Sequence, residues 1–409
     1  MSKEVSILLV GIGGYGNVYV NELLNKKTNY AYNIKGVVDI KPKNCKNLEK
    51  IYEMNIPVYS SMSKFYNRNT ADLAIISSPI QLHCEQTCFA LSHGSYVLCE
   101  KPVSATIQEA LKMSEMCKKT SKFVAVGYQW SFSESIQALK GDILKGVFGK
   151  PRRLKTIVLW PRNLEYYSRS WAGKMQDESG RWILDSVANN ATSHYLHNML
   201  YILGNKVNES AFPRFITAEL YRANSIDNFD TSVIQIITDN NVEIIHYASH
   251  ATKDSLDVTF EYEFENARVL FNNTDDENAR CIKAVFNDRT QKEYGNPGKD
   301  NNIKLWRCIK AAGEGIEIPC GIEAASSQTL CINGAQESMP DICEFPKNII
   351  RFDEALNQIW VEGLSETMKN CYDNWLSPGQ MNIPWSKRGK EIDMKCYNRF
   401  NGGKLQGER

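Results

Sequence analysis

Four groups of residues have the types and spacing for chemistry. Gly11-Ile12-Gly13-Gly14-Tyr15-Gly16 fits G-x-G-x-x-G, and Asp39, with Ile40 beside it, follows downstream. Glycines so placed permit a tight turn, let the backbone approach a pyrophosphate and let a helix pack close to a strand. The helix start offers unpaired N–H groups to phosphates. A carboxylate at Asp39 accepts hydrogen bonds from the adenosine ribose and repels a 2′-phosphate, so NAD is favoured over NADP; Lys41 weakens that preference. Lys101 is held between Glu100 and Pro102, and a proline neighbour stiffens the backbone that carries the amine. His194 and His197 offer imidazoles that, when neutral, accept a proton or polarise a carbonyl near neutral pH. Trp160-Pro161-Arg162, Tyr166-Tyr167 and Trp171 combine aromatic faces with forked donors. That suits carbohydrate rings or acidic sugars, although core packing explains aromatics equally well. Arg162, Tyr166 and Trp171 are the substrate-binding candidates.

The elements that must carry these residues fall into two grammars. Ser6–Val10, Ile34–Asp39, Ala71–Ser77, Tyr96–Cys99 and Phe123–Val126 read as strands. Helical patterns at Asn17–Leu24, Gln81–Ser92 and Thr106–Lys119 alternate with them, which means βαβ units and a parallel sheet. After about residue 150 the strands Leu154–Trp160, Phe215–Tyr221, Ser232–Thr238, Val242–His250, Val258–Glu263 and Ala267–Phe271 predict an antiparallel sheet. Hairpin turns at Asp239-Asn240-Asn241 and Glu265-Asn266 join some of them. Leu196, Met199, Leu200 and Leu203 recur at helical spacing, so a helix near Asn190–Leu203 buries one face. Helices are also expected over Ala324–Ser338 and Phe352–Tyr372, and an exposed loop at Gly295–Gly298.

Longer motifs then carry a family resemblance. Ser77-Ser78-Pro79 followed by His83, the Glu100-Lys101-Pro102 triplet after Gly94, Gly127-Tyr128-Gln129, and Gly149-Lys150-Pro151 come in the order seen in the Gfo/Idh/MocA oxidoreductases, which the chain resembles over most of residues 5–340. The resemblance implies an α/β protein: an N-terminal Rossmann domain over 1–128, then a C-terminal α/β domain over 129–409 with a large open antiparallel sheet. It also implies a homo-dimer or homo-tetramer formed through that sheet. The tail after about residue 340 is longer than in typical members. Cofactor contacts are implied for Gly11 to Gly16, Asp39, Ile40, Ser77, Ser78, Pro79, His83, Glu100, Lys101 and Gln129. Lys101 is implied to lie near the nicotinamide and the reacting hydroxyl. Partial burial and that cation would lower its pKa toward a range useful for proton transfer.

Many members carry an Asp four residues before a His at the start of a helix. Counting back from Gly204 puts His194 at the His position and Asn190 at the Asp position. Counting from Asp185 puts Asn189 at the His position instead. The apolar pattern from Leu196 supports the first register. Asp185 then lies upstream of the helix, and His197, three residues after His194, shares the site. An Asn cannot act as a base, which leaves Lys101 with most of the acid/base duty.

The leading expectation is an NAD-dependent oxidoreductase acting on a secondary alcohol of a sugar, a cyclitol or a glycoside. One alternative is an NAD-dependent glycosidase that oxidises its sugar transiently and eliminates the glycosidic group. A non-catalytic NAD-binding regulator is another, ranked last because Lys101 is present. With 48 Lys and Arg against 47 Asp and Glu, the 409-residue chain is near neutral, which gives no footprint for nucleic acid or anionic membranes. No run has the ~20 apolar residues of a membrane helix, and no signal peptide is read at the N-terminus. The 12 cysteines are read as reduced thiols of a cytoplasmic protein. His83, Cys84 and Cys88 have helical spacing but no second pair, so no metal site is expected.

Overall fold

Short, almost wholly apolar runs suit strands that are covered on both faces. The structure, a computed structural model, describes residues 3–26, 28–272 and 280–402. It divides into two compact units, Met1–Ser133 with Gly298–Ser326, and Glu134–Pro297 with Ser327–Arg409. The expected single cut near residue 128 does not include the return of 298–326 to the first unit. The Gly295–Gly298 loop, which leads into that return, is half-buried with Pro297 buried, not exposed.

The first unit contains strands β1 (Val5–Val10), β2 (Tyr32–Val38), β3 (Val58–Tyr59), β4 (Leu73–Ile76), β5 (Tyr96–Cys99) and β6 (Val124–Val126). They form one sheet in the order β3-β2-β1-β4-β5-β6, and every pairing is parallel. The order reverses between β1 and β4. In a doubly wound sheet, ligands bind beyond the carboxyl ends of the strands at that switch point. The Gly11–Gly16 turn follows β1 and Ser77–Pro79 follows β4, so the sequence motifs lie where that rule puts a ligand.

The second unit is built on a ten-stranded sheet. Its strands are β7 (Pro151–Leu159), β8 (Pro213–Arg222), β9 (Thr231–Thr238), β10 (Glu243–Ser249), β11 (Leu256–Phe264), β12 (Ala267–Asn272), β13 (Ile282–Phe286), β14 (Gln291–Gly295), β15 (Cys343–Glu344) and β18 (Ile392–Asp393). Most pairings are antiparallel, but β7–β10 and β8–β15 are parallel, so the sheet is mixed. Both expected hairpins form, β9–β10 and β11–β12.

A strand sends alternate side chains to opposite faces. Ile157, Leu159, Tyr221, Val233, Ile245 and Tyr247 share one face of the sheet and pack against Phe345, Val361, Leu364, Met368, Cys371 and Tyr372. The cover is therefore the C-terminal segment of the same chain. Its polar contacts match. Lys155 donates to the Tyr372 carbonyl at 2.8 Å and sits 4.2 and 4.3 Å from the rings of Tyr372 and Trp375. Buried Glu219 accepts from the Gly379 amide at 3.0 Å, Tyr221 accepts from the Lys387 amide at 3.0 Å, and Tyr247 donates to the Leu376 carbonyl at 3.0 Å.

Within that segment the expected helix over Phe352–Tyr372 is replaced by a hairpin and a shorter helix. β16 (Ile350–Asp353) pairs with β17 (Gln358–Val361), and the helix runs only over Leu364–Asn374. Asn357 at φ 49° turns the hairpin, and Gly363 at φ 74° stands at the helix start. Among the described residues no helix is long and apolar enough to cross a membrane. The cysteines are free thiols.

Candidate active site

The glycine turn is set by close approach. Gly11 has φ 79°, and a Cβ there would lie 2.9 Å from the Ser78 amide nitrogen. A Cβ on Gly16 would drive into the Gly11 carbonyl oxygen. The two turns at the switch point thus touch backbone to backbone. Around Gly14 the space is open, which leaves room for a phosphate beside the helix Gly16–Asn25. Asp39 faces this turn: its Oδ2 accepts from the Ile12 amide at 2.8 Å and the Gly13 amide at 3.3 Å, and its Oδ1 from the Lys41 amide at 2.7 Å. Ile40 is 81% exposed and gives an apolar surface beside that carboxylate, suited to a purine face. The turn, the carboxylate and the open space together fit a dinucleotide.

The second cofactor turn is braced from below. His83 is buried, and its two ring nitrogens lie 2.9 Å from the Pro102 and Ser78 carbonyl oxygens. It bridges the turn after β4 to the turn after β5. Burial pushes its pKa below the ordinary histidine value. Ser78 donates to Gln86 at 2.5 Å, and Gln129 donates to Asn301 at 2.9 Å. Lys101 is half-buried at the end of β5, and its backbone amide donates to Glu100 Oε2 at 3.2 Å.

Glu100 itself points inward. It accepts from the Tyr19 hydroxyl and from Lys304 Nζ, the latter at 2.5 Å. Burial alone would raise the Glu100 pKa, but the charge and hydrogen bond of Lys304 hold it below the ordinary carboxylate value. Lys304 was not among the residues singled out from sequence. It lies on the returning helix Ile303–Glu314, and no local motif flags it.

In the second unit the helix starts at Ser193, not Asn190. His194 is half-buried in its first turn, and Asn190 sits in the turn before it. The helical-face argument for an Asn190–His194 pair therefore does not apply. Instead, Asn190 donates to Asp185 Oδ1 at 2.8 Å, and Asp185 Oδ2 accepts from the Gly173 amide at 2.6 Å. The two alternatives for the carboxylate position thus touch each other. Leu184, next to Asp185, is held at φ 51°, a costly conformation for a branched side chain. His197 is buried against the Tyr201 ring at 5.5 Å, and burial depresses its pKa to about 3.

The aromatic candidates gather in this unit. Tyr166 is 6.0 Å from Trp171 and 5.9 Å from His250 between ring centroids, and the Arg162 guanidinium lies 5.1 Å from the Tyr166 ring. Burial raises the Tyr166 pKa, and the Asp185 charge adds to that. Trp160 donates its indole N–H to Asp257 at 3.0 Å. Trp160, Pro161 and Arg162 line a cavity of about 510 Å³ with Lys253, Ser255, Leu356 and Gln358. The last four and His250 were not singled out from sequence; they come from a strand end and from the C-terminal hairpin.

This fold and turn define a dinucleotide-binding Rossmann domain. Residues 5–128 match the oxidoreductase family with an NAD-binding Rossmann fold, Gfo/Idh/MocA. It is 27% identical over 148 residues to a 2,7-anhydro-N-acetylneuraminate hydratase of Mediterraneibacter gnavus, covering 36% of this chain and 38% of that protein. It is 33% identical over 79 residues to a D-glucoside 3-dehydrogenase of Escherichia coli, covering 19% of this chain and 22% of that protein. The chain thus aligns with well under two thirds of either relative. The WlbA dehydrogenase from Bordetella pertussis, solved with NADH and UDP-GlcNAcA, shares the fold: the TM-score is 0.66 at 18% identity, over 83% of this chain and 97% of that one. The cofactor is NAD.

Proposed function

We propose that the protein is an NAD-dependent dehydrogenase acting on a secondary alcohol of a sugar, cyclitol or glycoside in a reducing cytoplasm. The observation that carries this reading is Lys101, anchored by Glu100 at the end of β5 in the same domain as the glycine turn. When bound, the nicotinamide supplies the hydride acceptor. Lys101, in its neutral form, takes the hydroxyl proton as the C–H hydride departs, leaving a ketone. In the second unit, His194 is the candidate for a hydrogen bond to a substrate hydroxyl. Asn190, steadied by Asp185, is another hydroxyl-binding residue of that unit. Arg162, Tyr166 and Trp171 hold the ring, and the cations Arg162 and Lys253 at one cavity favour a substrate that carries a carboxylate. His197 is given no step, because burial keeps it neutral and packed.

The test is to denature the purified protein, assay the released nucleotide, and screen sugars and sugar acids at 340 nm. Sugar-dependent NADH formation supports the dehydrogenase. Cleavage of a nitrophenyl glycoside without net NADH would replace it with transient oxidation and elimination. Binding of NAD with neither reaction and full cellular activity of Lys101→Ala would leave a regulator.

A further inference from the structure

A fully buried lysine is rare, and it persists when its charge is compensated. Lys304 is 0% exposed. It donates to Glu100 at 2.5 Å and to the Gly127 carbonyl at 3.1 Å. Its ammonium also lies 4.7 Å from the Tyr15 ring and 5.4 Å from the Tyr19 ring, within cation–π range. Tyr15 belongs to the glycine turn, and Tyr19 lies on the helix behind it and donates to Glu100. Gly127 follows β6, and a Cβ there would lie 2.7 Å from Glu100 Oε1. One ammonium therefore touches the glycine turn, its helix, the strand end before Lys101 and the end of the last strand. A bridge that served only to pin the returning helix would need one of these contacts, not four.

We propose that Lys304 is a positioning residue: it locks the Glu100–Lys101 backbone to the glycine turn, so that nucleotide binding and the placement of Lys101 are coupled. The catalytic half of this rests on the dehydrogenase reading; the nucleotide half does not. Removing the ammonium leaves a buried carboxylate without its counter-charge, and both ends of the link loosen.

The test compares Lys304→Met with Met113→Ala, a core truncation in the same unit outside the network. Hydrogen exchange of the cofactor-free protein should speed up at residues 11–19 and at 100–103 together in Lys304→Met. NAD affinity, measured by calorimetry without substrate, should fall about tenfold, the effect of losing one modest coupling. With a substrate in hand, kcat should fall about tenfold or more while the substrate KM changes less than threefold. Adding Glu100→Gln to Lys304→Met should restore the melting temperature but not kcat, because the bridge to Tyr15 stays broken. Should Lys304→Met not fold, Tyr19→Phe removes one donor of the same network and should show the same pattern at smaller size. Unchanged NAD affinity and unchanged exchange at residues 11–19 in a folded variant overturn the coupling. So do losses that Met113→Ala reproduces at equal melting temperature. If no substrate is ever oxidised, the exchange and calorimetry still decide the nucleotide half.

Discussion

Replacing His246 with leucine should stabilise the protein, and more so in acid. His246 lies on β10 with no exposed surface, and neither ring nitrogen meets a hydrogen-bond partner among the described residues. Burial depresses its pKa to about 3. In the unfolded chain the value is about 6.5. The folded value is therefore the lower one. The unfolded state takes up a proton first as pH falls, so stability present above about 6.5 is lost through the window from about 6.5 to about 3. At pH 5 the unfolded imidazole is favoured by about 1.5 pKa steps, or ~2 kcal/mol, while at pH 7 the effect is a few tenths of a kcal/mol. His197 and His250 carry the same depression to about 3, so the three together remove ~6 kcal/mol at pH 5, a large share of a typical stability of ~5–15 kcal/mol. Leucine of similar size also removes unsatisfied polar atoms, worth ~1–3 kcal/mol at any pH. Urea unfolding followed by tryptophan fluorescence at pH 5, 6, 7 and 8 reads both effects. The variant should gain at pH 7 and gain ~2 kcal/mol more at pH 5. Parallel pH curves for wild type and variant would refute the reasoning, because they would mean that His246 is protonated or paired in the folded state.

Lys101→Met should lower kcat/KM by ~10²–10⁴-fold, the span of general-base contributions, with calorimetric NAD affinity within threefold of wild type. Asp39→Ser should shift the NAD-to-NADP preference toward NADP by at least ~tenfold, ~1.4 kcal/mol, read from the ratio of kcat/KM values. Gly16→Ala places a Cβ against the Gly11 carbonyl and should abolish measurable NAD binding in calorimetry. Met368→Ala opens a cavity in the cover over the second sheet and should cost ~2–5 kcal/mol in urea unfolding.

The parts of the candidate site that are legible in sequence are local. The glycine turn, Asp39 and Lys101 each lie within a few residues of a strand end, where the chain's own spacing dictates geometry. The strand and helix pattern of the first unit is legible for the same reason. Lys304 was not, because its partner Glu100 lies 204 residues away and nothing near Lys304 hints at a buried charge. The helix start at Ser193 is not legible because hydrophobic spacing marks a helix's buried face and not its first turn. The hairpin at 350–361 is not legible because its short strands flank a turn whose Asn357 backbone value no pattern shows. The parallel pairing of β7 with β10 is also long-range, set by packing across the sheet and invisible to hairpin signals.

The segment after residue 340 gives the second unit a property that depends on covalent attachment. A face covered by a separate subunit opens on dilution, because closure is bimolecular. A face covered by its own chain closes at an effective concentration fixed by linker length, in the millimolar range for short flexible linkers and independent of how much protein is present. Lys155, Glu219, Tyr221 and Tyr247 meet their partners in that cover. The burial of these groups should therefore be the same in a dilute cell extract as in a concentrated sample, and the fold of this sheet should not track expression level.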